Sequence, residues 1–167
     1  SLSAVQGLGV GETLTDSFAY TVSDGHGGTA SNTLTITISG ANDAPAALAA
    51  TASVTEDTAL SASGVLPRPS DPDFHDTVAF IPLAARAGAY GTLTLAADGH
   101  YTYVLNNTLP AVQGLGVGET LTDTITYQVI DNHGATGSAT LTVTINGTND
   151  NPIVTPLTAS ILETAAS

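Results

Sequence analysis

Gly40-Ala41-Asn42-Asp43-Ala44-Pro45 and Gly147-Thr148-Asn149-Asp150-Asn151-Pro152 are two versions of one hexapeptide. Each closes a run in which Thr alternates with aliphatic residues. The Gly ends the preceding strand. The Pro, with its fixed φ and its bias on the residue before it, holds the following segment extended. Between them stand Asn and Asp, short oxygen-bearing side chains with no Lys or Arg beside them. A junction between tandem modules is the reading that fits, and carboxylates gathered at such a seam suit a hard cation, calcium first among them. One copy alone reads as an ordinary polar loop; the second copy reverses that preference.

Working outward, Ala4-Val5-Gln6-Gly7-Leu8-Gly9-Val10-Gly11-Glu12-Thr13-Leu14-Thr15-Asp16 recurs unchanged as Ala111 to Asp123, a displacement of 107 positions (111 − 4). The same displacement maps Tyr20 onto Tyr127, Asp24 onto Asp131, His26 onto His133, Asn42-Asp43 onto Asn149-Asp150 and Glu56 onto Glu163. A period of that length is a whole sandwich domain, not a solenoid unit. The chain of 167 residues therefore divides into the C-terminal part of a preceding repeat (1–43), a complete repeat (44–150) and the first strand of a following one (151–167).

Strict alternation marks strands with one buried and one wet face. In the first segment Phe18, Tyr20 and Val22 alternate with polar or small residues, and Leu34, Ile36 and Ile38 alternate with Thr. Half a repeat cannot cover that apolar face, so it is expected to lean on the next repeat, a neighbouring chain or further sequence. The full repeat offers seven strands, near 48–55, 58–66, 77–82, 91–96, 100–105, 123–130 and 138–146, with a loop and helical turn over 107–119. Asp98-Gly99 is the strongest hairpin signal, because Asp-Gly readily takes positive φ. Seven antiparallel strands in such a length predict an all-β, immunoglobulin-like or cadherin-like sandwich, with Tyr127 as its corner tyrosine.

Fifteen acidic residues face only Arg68 and Arg86, a formal net charge of −13. That balance excludes nucleic acid and anionic membrane surfaces as partners, since both need basic residues to offset phosphate. With no Cys, disulfides and thiolate metal sites are excluded as well. No apolar run is long enough to insert into a membrane. No Ser–His–Asp grouping is discernible, and Gly7-Leu8-Gly9-Val10-Gly11 lacks the Lys of a phosphate loop, so an enzyme is not expected.

Asp71-Pro72-Asp73-Phe74-His75-Asp76 lies between the second and third strands, with carboxylates at positions 1, 3 and 6. A calcium shell of roughly 6–8 oxygens offsets such crowding. The pattern is not an EF-hand loop, so an ion there must be shared with other segments; a solvated turn held by Asx hydrogen bonds is the competing reading. Strand parity puts this loop at the end of the sandwich where the chain arrives, beside Asn42 and Asp43, and puts Glu56 and Glu119 at the opposite end, beside Asn149 and Asp150. Two equivalent sites are thus predicted, Asn42/Asp43 with Asp71/Asp73 and Asn149/Asp150 with Glu56 and Glu119, and Glu12 serves the first by the repeat rule. Asp24 and Asp131 are assigned to turns, and no His spacing points to zinc.

Gly91-Thr92-Leu93-Thr94-Leu95, Asp98-Gly99, Tyr101-Thr102-Tyr103, Gly118-Glu119-Thr120-Leu121-Thr122-Asp123, Tyr127-Gln128-Val129, Asp131 and the closing Gly147-Thr148-Asn149-Asp150 together resemble the VCBS repeat of large bacterial surface and secreted proteins, related to the cadherin-like modules of RTX adhesins. The resemblance implies a tandem β-sandwich exported by Gram-negative bacteria, extracellular, and often stiffened by calcium at its linkers. The expected function is that of a structural extender, its partners being neighbouring repeats and calcium ions. It would project a tip that binds a host or matrix ligand elsewhere in the parent protein, contributing to cell adhesion and biofilm formation. A ligand- or glycan-binding adhesin module is the alternative; it needs an exposed aromatic platform, and aromatics make up only 5% of the chain.

Overall fold

Thr120–Asp131 and Thr136–Asn146 carry the clearest two-residue period in the full repeat, and they form the two central strands of one face of a β-sandwich. A computed structural model describes residues 2–152 and 154–160. In chain order the elements are α1 (Ser3–Gln6), β1 (Thr13–Ser23), β2 (Thr29–Ser39), β3 (Ala50–Thr55), β4 (Ser61–Val65), β5 (Val78–Phe80), β6 (Leu83–Ala87), β7 (Gly91–Leu95), β8 (His100–Leu105), α2 (Pro110–Gln113), β9 (Thr120–Asp131) and β10 (Thr136–Asn146). One sheet runs β3-β10-β9-β5 and the other β4-β8-β7-β6, while β1 and β2 form a separate two-stranded sheet.

Alternation decides which side chains meet. Ile125, Tyr127 and Val129 on β9 and Leu141, Val143 and Ile145 on β10 are buried against Leu93, Leu95, Tyr103 and Leu105 of the opposing sheet. Full burial of each such aliphatic side chain is worth about 1.5–3 kcal/mol. Tyr127 is buried and its hydroxyl donates to the Leu48 carbonyl, the corner role expected of it. Gly99, at φ 90°, sits in the tight turn of the β7–β8 hairpin, where His100 N–H donates to Asp98 Oδ1.

The sandwich has eight strands where seven were expected, and the described residues hold ten. Residues 78–87 make a single pass that changes sheets. The Ile81 N–H still bonds Gln128 of β9; Pro82 then offers no donor, and Leu83 pairs with Leu95 of β7 in the other sheet. The predicted strand 77–82 is thus only the first half of that pass. Antiparallel pairing also needs correcting at one place, since β3 pairs β10 in parallel, Ala50 opposite Leu141. An odd number of passes demands it: the first and last run the same way, so the chain arrives at one end and leaves at the other. We call these the upstream and downstream ends.

The β1–β2 hairpin repeats the β9–β10 hairpin, Thr13 pairing Ser39 through to Ser23 pairing Thr29. Its strands lie open, however: Tyr20 is 49% exposed where its counterpart Tyr127 is 1% exposed. The preceding loop leans on the sandwich, burying Gly7, Leu8 and Gly9. Residues 154–160 take part in no strand, and Glu163 with the rest of 161–167 lies outside the described residues.

Candidate metal centre

Three loops converge at the upstream end of the sandwich: the linker into β3, the β4–β5 loop and the β9–β10 turn. The Asp43 N–H donates to Asp73 Oδ2 at 2.9 Å, and the Asp73 N–H donates to Asp71 Oδ1 at 3.0 Å. The Asn42 amide donates to Asp131 Oδ2 at 2.9 Å, tying the linker to the end of β9. Asn42, Asp43, Asp71 and Asp73 are therefore brought together at this end.

Two more carboxylates join them. Asp71, Asp76 and Asp131 each present an oxygen within 4.8 Å of the others. Asp131 does serve its turn, for Oδ1 accepts from the N–H groups of His133 (2.8 Å) and Ala135 (2.9 Å). Asp24 does the same for His26 and Gly28 in the first hairpin. The turn assignment was correct but incomplete, because parity puts the end of β9 upstream, beside Asp71. Asp76 was visible as the sixth residue of the acidic hexapeptide.

Asp73 is only 3% exposed, and its Oδ1 has no hydrogen-bond partner among the described residues; the same is true of the buried atoms Asn42 Oδ1 and Asp71 Oδ2. Unpartnered buried oxygens are costly, and carboxylates so crowded repel one another. Burial pushes the Asp71 carboxyl above the usual carboxylate range, and the charges of Asp73, Asp76 and Asp131 push it further, against a hydrogen bond from Asp73 that lowers it. The Asn42 amide, with the backbone N–H groups of the turn, holds Asp131 below that range. His133 Nδ1 lies 2.9 Å from Asp76 Oδ2, and that hydrogen bond raises the imidazole above its ordinary value. The donor set is all oxygen, comes from several loops and includes one neutral amide, which fits a calcium-sized hard cation rather than zinc or copper.

Beside this cluster the preceding half-repeat is latched in place. Phe74 N–H donates to Gly7 O at 3.1 Å, and the Phe74 ring lies over Gly7 so closely that a Cβ there would collide with it. Glu12 Oε2 accepts from Gly9 N–H at 3.0 Å, and Oε1 meets His75 Nδ1 at 2.5 Å. Glu12 thus holds its own turn and grips the acidic loop through histidine.

At the downstream end Glu56 is fully buried, its Oε1 accepting from Thr148 N–H at 2.9 Å and its Oε2 unpartnered among the described residues. Glu56 therefore reaches the second linker, next to Asn149 and Asp150, both exposed. Glu119, also exposed, caps its turn through Gly116 N–H at 2.8 Å, the counterpart of the Glu12 bond. Sequence reasoning did not single out Asp57, which takes φ 58° and accepts from Asn107 and Gln113; those two amides hold its carboxyl below the usual range.

Among solved structures, the chain is similar to the protocadherin GammaB4 extracellular domain, with 17% identity and a TM-score of 0.42, over 81% of this chain and 22% of that one. It is also similar to a nucleoside hydrolase-related hypothetical protein from Saccharophagus degradans associated with carbohydrate metabolism, with 14% identity and a TM-score of 0.40, over 64% of this chain and 26% of that one. The chain spans roughly a quarter of the length of either. No curated protein matches it. No helix among the described residues is long and apolar enough to cross a membrane. The bacterial cadherin-like domain matches residues 42–147, from the first linker through the last strand, and the chain belongs to that family.

Proposed function

We propose that this chain is a calcium-stiffened extender from a tandem array of VCBS type, part of an extracellular or surface-attached bacterial adhesin of the RTX kind. The observation that carries this reading is the set of buried oxygens on Asn42, Asp71 and Asp73 that have no partner among the described residues, where a linker meets the next sandwich. When bound there, a calcium ion would supply the positive charge that these oxygens lack. Asn42 and Asp43 belong to the linker, Asp71, Asp73 and Asp76 to the β4–β5 loop, and Asp131 to β9. Binding therefore adds a shared charge to the hydrogen bonds that already join these three segments, and removes the remaining freedom of the joint.

Ligation that favours the docked, folded state stabilises it by mass action, about 2.7 kcal/mol when free ion is 100-fold above its dissociation constant. The net charge of −13 keeps neighbouring rods apart. In this role the chain performs no covalent chemistry: it spaces a binding tip from the cell in adhesion and biofilm formation, and its partners are neighbouring repeats and calcium. The test is calcium titration followed by calorimetry and small-angle scattering. Melting temperature and maximum dimension should both rise with calcium and fall with chelator; a chain indifferent to calcium in both would refute the stiffening.

A further inference from the structure

The β1–β2 hairpin carries an apolar face that its duplicate shows how to cover. Phe18 is 50% exposed and Leu34 53%, whereas their counterparts Ile125 and Leu141 are 2% and 0% exposed beneath the other sheet. The face also carries unused polar groups in matching places. Asp123, counterpart of Asp16, is buried and accepts from Ala89 N–H (2.9 Å), Tyr90 N–H (3.0 Å) and the Tyr103 hydroxyl (2.8 Å). Among the described residues, Asp16 accepts only from its neighbour, Ser17 N–H. Chain direction matches too: Leu2 enters α1 at φ −74°, ψ 131°, and Leu109 enters α2 at φ −71°, ψ 132°.

We propose that this face is a docking surface for a half-sandwich of the β3–β8 kind, carried on the same polypeptide ahead of Leu2. Asp16 and Tyr20 set its register, by bonding a tyrosine hydroxyl with a turn, and a linker carbonyl, respectively. The occupant is a diverged relative of residues 44–108, and the hairpin shows where. Phe18 stands for Ile125 and needs a smaller neighbour. Asn32 stands for Ala139 and needs a polar partner. Ala30 stands for Gly137, where the Pro45 carbonyl passes so close that a Cβ would collide with it, so the incoming linker must run farther from β2. A second copy of this chain is a poor occupant, because its own half-sandwich already holds β9 and β10. The proposal rests on the tandem arrangement but not on calcium.

The test replaces Ser1 with residues 44–108, so that the added segment runs directly into Leu2. Amide deuterium exchange is followed in β1 and β2, in calcium and in chelator, with β9 and β10 of the same chain as reference. One extended chain keeps the native hairpin; the other carries Phe18→Ile, Ala30→Gly and Asn32→Ala. Exchange in β1 and β2 should slow by on the order of 100-fold in the second and by less in the first, in both media, with each chain monomeric in sedimentation. Unchanged exchange in the triply substituted chain, or a strand-exchanged dimer, would overturn the docking proposal. Equal protection in the two chains would overturn the divergence assigned to positions 18, 30 and 32. Loss of protection confined to chelator would show the docking to depend on calcium and so refute its independence.

Discussion

Replacing Asp73 by Asn separates a cation ligand from a structural carboxylate. Asp73 Oδ2 accepts from Asp43 N–H, and an asparagine carbonyl oxygen keeps that bond with nearly the same shape. The substitution removes one negative charge that acts on Asp71, whose oxygen lies within 4.8 Å of those of Asp76 and Asp131. Without calcium, relief of like-charge repulsion should leave the variant as stable as the parent or more so. With calcium, loss of one charged ligand is expected to weaken binding on the order of 100-fold. At saturating ion that removes about 2.7 kcal/mol of linkage stabilisation. A domain of this size shifts by about 4–8 °C per kcal/mol, so the variant should melt roughly 10–20 °C below the parent in calcium and level with it, or above, in chelator. Scanning calorimetry in the two media reads both signs. A parent melting temperature that ignores calcium, or a variant equally destabilised in both media, would refute the ligand role.

Asp123→Ala leaves three donors without an acceptor, the buried Tyr103 hydroxyl and the partly buried N–H groups of Ala89 and Tyr90, and should cost about 2–4 kcal/mol by urea titration. A loss below about 1 kcal/mol would mean that water replaces the carboxylate at no cost. Gly137→Ala drives a Cβ into the Pro45 carbonyl and should destabilise the sandwich by about 1–3 kcal/mol, measured as a lower denaturation midpoint; the matching change Ala30→Gly should cost well under that. Hydrogen bonding from the His100 N–H, with its imidazole, holds the Asp98 carboxyl below its ordinary value of 3.8. A depressed folded value means that its contribution to stability is fully present above pH 3.8 and is lost as pH falls through the lower folded value. NMR titration of the Asp98 carboxyl should show that lowered midpoint, and His100→Ala should raise it part of the way.

Much of this molecule is legible in its residue order. The alternation of Thr with Leu, Val and Ile named the faces of β9 and β10, because a strand turns its side chains over every second residue and burial follows that period. The duplication placed the linkers, and the parity of the passes placed Asn42, Asp43, Asp71 and Asp73 at one end and Glu56 at the other. Parity carried on to β9 brings Asp131 to the same end as Asp71 and Asp76.

Other features depend on distance in the chain, and only the folded arrangement decides them. Pro82 announces a break in any ladder, but which sheet Leu83 joins depends on whether β7 has an open edge there. Asp16 and Asp123 each close the same stretch of sequence, Ala4 to Asp16 and Ala111 to Asp123, yet one is a surface carboxylate and the other a buried acceptor for Tyr103. That shared stretch does not separate them; the difference is the sheet that covers β9 and leaves β1 bare. Short-range pattern determines which way a side chain points, and tertiary structure determines what, if anything, it meets there.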